Sequence, residues 1–227
     1  FQMVQLWVNL PAKDKMSAIA MTDHGNMMGA FKFVSAILDH NKGVKKNNEA
    51  AIEKGEEPTE TEIKPLVGCE FFVCENHTDK TKKDNGYQIV LLAKNKKGYH
   101  NLAKLASMAS INGFYYVPRI DKKILLEYKE DIMVLSGNLQ GEIPNKILNI
   151  GEKQAEEALL WWKEHFKDDF YLEIMRHNQE DEERVNATLI AFAQKHQVKL
   201  VASNNTYYLE KSDANAHDIL LCVKDGE

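Results

Sequence analysis

The chain predicts an α/β fold, and three observations carry that reading. Short apolar runs rich in Val, Ile and Leu alternate with helix-period patterns from one end to the other. An acid and an imidazole, Asp23 and His24, stand where the first such run stops. Gly25 follows at once, freeing the backbone to turn into the next pattern. Alternation of this kind argues for βαβ units and a mainly parallel sheet, open or closed into a barrel.

The expected strands cover residues 17–21, 66–73, 89–93, 132–135, 170–174 and 200–203. After the first, Met27, Phe31, Val34 and Leu38 recur at spacings of four, three and four, the signature of one helix face. A second helix carries Leu102, Leu105, Ala106 and Ala109. A third begins near Gln154 and aligns Ala155, Ala158, Leu159, Trp162 and Phe166. A fourth aligns Val185, Leu189, Phe192 and Ala193. Residues 39–64 break the rhythm: Lys, Glu and Asn dominate, interrupted by Gly43, Gly55 and Pro58. They read as an exposed charged insertion, in part helical, within a single domain covering residues 1–227. A smaller polar loop spans residues 76–86.

Composition narrows the class. With 227 residues, 44% hydrophobic and 28% charged, the chain is an ordinary soluble globular protein with room for a sizeable core. No apolar run approaches the roughly 20 residues of a membrane span, and no signal-peptide pattern opens the chain. A net charge of −5 leaves no basic footprint for gripping nucleic acid unaided. Cys69, Cys74 and Cys222 form no CxxC pair, which argues against a disulfide scaffold or zinc ribbon. Reduced, packing thiols in the cytoplasm are the expectation. At the end of a strand, Asp23 and His24 are candidates for chemistry. The competing reading is a helix cap for Asp23 and a satisfied pocket for His24.

Longer motifs follow in a fixed order: Thr22-Asp23-His24-Gly25-Asn26-Met27, then Pro65-Leu66-Val67-Gly68-Cys69-Glu70-Phe71-Phe72-Val73, then Val90-Leu91-Leu92-Ala93-Lys94-Asn95. After them come Gly113-Phe114-Tyr115-Tyr116-Val117-Pro118-Arg119-Ile120-Asp121, Leu135-Ser136-Gly137-Asn138, Gly141-Glu142-Ile143-Pro144 and Ala216-His217-Asp218-Ile219-Leu220-Leu221-Cys222. In this order they closely resemble the polymerase-and-histidinol-phosphatase (PHP) domain of the bacterial replicative DNA polymerase III alpha subunit. The resemblance covers residues 12–227.

The resemblance implies a distorted seven-stranded (β/α) PHP barrel. In metal-binding members it also implies a cluster of His, Asp, Glu and sometimes Cys holding two or three ions, often zinc. Such a centre hydrolyses phosphoesters, including 3′-5′ exonuclease proofreading, because clustered cations acidify a bound water and clamp phosphoryl oxygens.

This chain departs from that pattern. The opening strand with two closely spaced His ligands has no match, since residues 1–21 contain no His. His24 and Glu70 match ligand positions. Gln88 stands where active members carry His, Asn138 where Cys is common, Asn205 in place of Asp and Tyr207 in place of His. Amide oxygens are poor zinc ligands, and a phenol with a pKa of about 10 seldom coordinates. Asp23, His24, Glu70, Gln88, Asn138, Asn205 and Tyr207 are therefore expected to be a vestigial metal pocket with no catalytic residue. No cofactor is expected beyond weak residual divalent metal. Asn138, Asn205 and Gln88 are expected to form a neutral polar network around His24 and Glu70.

The expected role is a non-catalytic structural and docking module of a DNA-directed DNA polymerase in replication. Its partners are the remainder of the alpha subunit, a proofreading exonuclease subunit, and DNA through the parent polymerase. The alternative is a residual metal-dependent phosphoesterase or 3′-5′ exonuclease using Asp23, His24 and Glu70 with help from His177. Arg119 is expected to pair with an acid such as Asp121 rather than a phosphate. His177 and His217 are expected to be structural, and Trp162 or its neighbour Trp161 to face the core.

Overall fold

The computed structural model describes residues 16–226 apart from 205 and 209. The expectation about a His-free opening strand falls almost wholly on residues outside that set. Among the described residues there are seven strands: β1 (Ala18–His24), β2 (Lys64–Cys74), β3 (Tyr87–Ala93), β4 (Arg119–Asp121), β5 (Ile132–Leu135), β6 (Phe170–Ile174) and β7 (Lys199–Ala202). Between and after them run α1 (Ala30–Glu53), α2 (Lys96–Ile111), α3 (Lys122–Glu127), α4 (Glu142–Asn149), α5 (Glu152–Phe166), α6 (Glu180–His196) and α7 (Ala214–Asp225).

The sheet order is β1-β2-β3-β5-β6-β7, with β4 also paired to β2. The sheet curls into a half-barrel with the helices outside, an α/β architecture consistent with a (β/α) barrel. Four pairings are parallel, as the alternation predicts. β3 is the exception and lies antiparallel to both β2 and β5. Its reversal has a simple cause. The link from β2 to β3 is a polar loop without a helix to carry the chain back across the sheet, so β3 returns alongside β2. β4 escapes the sequence reading because three residues are too few to show a period.

The outer face of the sheet makes the main core. Cys69, Phe71 and Val73 on β2, Ile89 and Leu91 on β3, Val134 on β5, and Phe170 and Leu172 on β6 are buried together. Each set alternates along its strand, as side chains on one face must. The anticipated faces of α2, α5 and α6 meet this layer, with Leu102, Leu105, Leu159, Trp162, Val185 and Leu189 all buried. The first turn of α2 is capped by Asn95, whose side-chain oxygen accepts from the N–H groups of Lys97 and Gly98 at 2.9 and 3.1 Å. At Gly98 a Cβ would meet the Asp131 carbonyl at 2.1 Å, so only glycine lets α2 approach this closely.

The face of α1 differs from the expected one. Ala30, Phe33, Ile37, Asn41 and Val44 are buried, whereas Phe31 and Leu38 are exposed. With large apolar residues on both stripes, periodicity alone did not fix the phase. The buried stripe packs with Met21 and Ile63 in a smaller second core over β1 and β2. The charged segment is partly ordered as well: α1 runs on to Glu53, and the chain returns along it. Asn41 donates to the Ile63 carbonyl at 2.8 Å and accepts from the Ile63 N–H at 2.9 Å. Asn48 repeats the two-way arrangement with the Glu60 backbone.

Candidate functional site

Strand register decides which site residues meet. His24 on β1 lies directly across from Glu70 on β2, so both side chains leave the same face. Glu70 is opposite Val90 on β3, which puts Gln88 on that face too. Val90 is opposite Leu135, Leu135 opposite Tyr171, and Glu173 is two residues beyond Tyr171 on β6. Glu173 in turn faces Val201, with Ser203 two residues on. The inner face of the half-barrel therefore carries His24, Glu70, Gln88, Glu173 and Ser203, opposite to the packed apolar layer.

Asp23 is excluded by the same rule. It shares the outer face with Cys69, and its carboxylate lies beside Gly29 at the start of α1. No side-chain hydrogen bond caps that helix, so Asp23 is not its cap either.

The imidazole Nδ1 of His24 lies against the Glu70 carboxylate, with Glu70 buried and His24 half exposed. The Tyr207 ring lies parallel to the His24 imidazole with centroids 6.5 Å apart. His217 stacks on Tyr207 in turn at 5.5 Å. Position 207 thus supplies a stacking surface in a column of three rings. Asn138 turns its carbonyl oxygen to the N–H of Gln140 at 2.9 Å, closing the loop after β5. The polar network expected among Asn138, Gln88, Asn205 and His24 is not the arrangement at Asn138, whose short side chain is satisfied locally; Asn205 lies outside the described residues. Gln88 is buried, and its side-chain oxygen has no hydrogen-bond partner among the described residues.

Glu173 is the inner-face residue that the sequence reading passed over. It is buried, its backbone N–H donates to the Ser136 hydroxyl at 2.9 Å, and Ser203 donates to its Oε1. Its Oε2 is buried without a partner among the described residues. Burial raises its pKa, as does the charge of Glu70; the Ser203 hydroxyl and Gly137 N–H oppose the rise. The signal was present: an acid inside the apolar run Phe170-Tyr171-Leu172-Glu173-Ile174 is uncommon unless something holds it. The cavity beside it, lined in part by Gly137, Asn138 and Pro144, is about 20 Å³, room for one water and no larger ligand.

Among the described residues, no group of three or more His, Cys, Asp or Glu side chains is arranged to hold a metal ion. His24, Glu70, Gln88 and Glu173 share the inner face, and of these only His24 and Glu70 are in contact. That pair falls short of the three or four protein ligands of a zinc site. Cys69 adds no nucleophile, because burial pushes its thiol up to about 12.

Arg119 corrects another expectation. It is fully buried and does not pair with Asp121. Its guanidinium donates to the carbonyls of Gly113, Asp84, His77 and Asp79, pinning the 76–86 loop. Asp121 is taken by the His77 ring at 2.5 Å and by the Ile124 N–H at 2.9 Å. His177 bonds Glu182 through its ring and backbone N–H. Trp162 is buried and Trp161 stacks on His165. A groove of about 700 Å³ lies at the start of β2 beside Phe31, Val34 and Tyr99 and includes none of the expected site residues.

Comparison with known proteins places these features in context. A family model described as the PHP domain matches residues 4–177. The chain is 37% identical over 218 residues to the DNA polymerase III subunit alpha of Borreliella burgdorferi, covering 94% of this chain and 17% of that protein. It is 35% identical over 224 residues to the subunit of Campylobacter jejuni, covering 93% and 17%. For Thermus aquaticus the figures are 37% over 212 residues, covering 91% and 16%. The chain spans about a sixth of the length of these relatives.

Proposed function

The chain belongs to the PHP domain family and is homologous to bacterial DNA polymerase III alpha subunits, and from that premise we propose that it is a non-catalytic structural module of a replicative polymerase. Its inner face is held by the contact of His24 with Glu70, the hydrogen bond of Ser203 to Glu173 and aromatic stacking on Tyr207, without catalytic metal. The observation that carries this reading is the engagement of His24 by Glu70, with amide and phenol side chains at the neighbouring pocket positions Gln88, Asn138 and Tyr207. Carboxylates crowded together without cations repel one another and resist burial; amides remove that cost.

In this role the module supports the polymerase core and a proofreading exonuclease subunit, and meets DNA only through the parent enzyme, in the cytoplasm. No helix among the described residues is long and apolar enough to cross a membrane. The competing reading is a residual phosphoesterase, to which Glu70 and Glu173 would contribute carboxylates. Metal analysis of the purified protein, with phosphatase and exonuclease assays in added zinc or manganese, separates the two. The structural role predicts less than stoichiometric metal and no turnover above background. Tightly held stoichiometric metal, or turnover abolished by His24→Ala, would overturn it.

A further inference from the structure

We propose that the groove at the start of β2 is a docking site for an acidic peptide segment of a partner polypeptide, anchored by one or two large apolar side chains. The inference rests on the reading of the chain as a docking module and deepens it, naming a surface and the chemistry that fits it. The groove is about 700 Å³ and open to solvent, within the size range of ligand-binding clefts. Its apolar wall comes from α1. That helix carries two apolar stripes, and the second core covers only the one through Phe33 and Ile37. The other runs through Phe31, Val34 and Leu38. Its first two residues line the groove, with Phe31 80% exposed. Tyr99 on α2 lines it as well. A helix with apolar residues on two sides has two faces to cover, and the interior of this domain covers one.

Charge identifies the occupant. The described residues that line the groove include Lys64, Lys94 and Lys96 and no acid, in a chain where Asp and Glu outnumber Lys and Arg by 34 to 29. Lys94 is held by Asp169 at 2.8 Å. Lys64 and Lys96 are exposed and have no ionic partner among the described residues. Lys96 also stands in the first turn of α2, where no acid offsets the positive end of the helix. Helix N-termini favour anions and disfavour cations, so this turn is an electrostatic misfit until a negative group arrives. An apolar trough with single-sign cationic edges selects a segment that pairs carboxylates with apolar anchors, and it rejects a basic one. The groove includes none of the inner-face residues, so its occupation is independent of any metal there.

The test is fluorescence anisotropy with the full-length polymerase subunit carrying this chain. The probe is a fluorescein-labelled peptide, Glu-Glu-Leu-Phe-Glu, compared with Lys-Lys-Leu-Phe-Lys and Glu-Glu-Ser-Ser-Glu. Docking predicts that only the first peptide binds, and that added salt weakens it. The paired change Lys64→Glu and Lys96→Glu should weaken it about ten-fold or more. Phe31→Ser, at an exposed position that the fold does not need, should do the same. Ile111→Ser, exposed at the far end of α2, should leave binding unchanged. Absence of binding would overturn the proposal, because it assigns the groove to the rest of the subunit. So would equal binding of the lysine peptide, binding indifferent to Phe31→Ser, or displacement of the probe by a single-stranded oligonucleotide. The metal and activity assays are read at the inner face, so the two readings fall separately.

Discussion

Glu70 on β2 and Glu173 on β6 share the inner face of the half-barrel, and after burial the charge of the first raises the proton affinity of the second. The direction of the shift fixes a sign. Between its unfolded pKa, about 4.3, and its higher folded value, Glu173 is protonated in the native state and ionised when unfolded. Stability therefore falls as pH rises through that window. Glu173→Gln should remove this slope, so that the variant gains on the parent above the window. Urea denaturation of both proteins from pH 4 to pH 8 checks it; parallel profiles would refute it.

Arg119 offers a larger loss. Replacing it with Met leaves four carbonyls without their donor and should cost about 3–5 kcal/mol. Arg119→Lys should recover only part, since a point charge cannot reach four acceptors as the planar fork does. Both variants should become protease-sensitive within residues 76–86 before elsewhere, which limited proteolysis will show.

Glu142 is held from three directions. Lys122 and Lys146 reach it at 2.8 Å, and the Trp162 indole donates to it at 2.9 Å. Burial works against its charge, but the two lysines outweigh that and lower its pKa. A depressed carboxylate contributes stability above its unfolded pKa, about 4.3, and loses it as pH falls towards the folded value. Glu142→Gln should cost about 2–4 kcal/mol at pH 7, with the difference shrinking in acid. Chemical denaturation at pH 7 and pH 3.5 measures both numbers.

Gly98→Ala reverses the usual helix rule. An alanine inside a helix normally gains up to about 1 kcal/mol over glycine, but here its methyl would strike the Asp131 carbonyl. A loss of about 1–3 kcal/mol is expected from the forced displacement of α2. A variant as stable as the parent would show that α2 can move outward at no cost.

How far the sequence foretold this depends on how strongly each feature repeats. The faces of α2, α5 and α6 were legible because one apolar stripe dominates each helix. That of α1 was not, because Phe31 and Leu38 compete with Phe33 and Ile37 at the same period. The match of His24 and Glu70 to ligand positions came from motif order, and the parallel register supplies their pairing. Asp23 looked equivalent to His24 in the sequence, yet adjacent strand residues must face opposite ways. Glu173 was hidden for a different reason: one acid in an apolar strand shows no periodicity, and its meaning appears only when β3, β5 and β6 are aligned. Arg119 could not be assigned either, since its acceptors are backbone carbonyls scattered over residues 77–113.

The two-way bond between Asn41 and the Ile63 backbone has a consequence for how the family can vary. By imitating a strand neighbour, the amide anchors the chain one residue before β2 begins, and with Asn48 on Glu60 it sets where Glu70 falls independently of residues 54–59. A change of length or charge within that stretch is expected to leave the barrel wall in register.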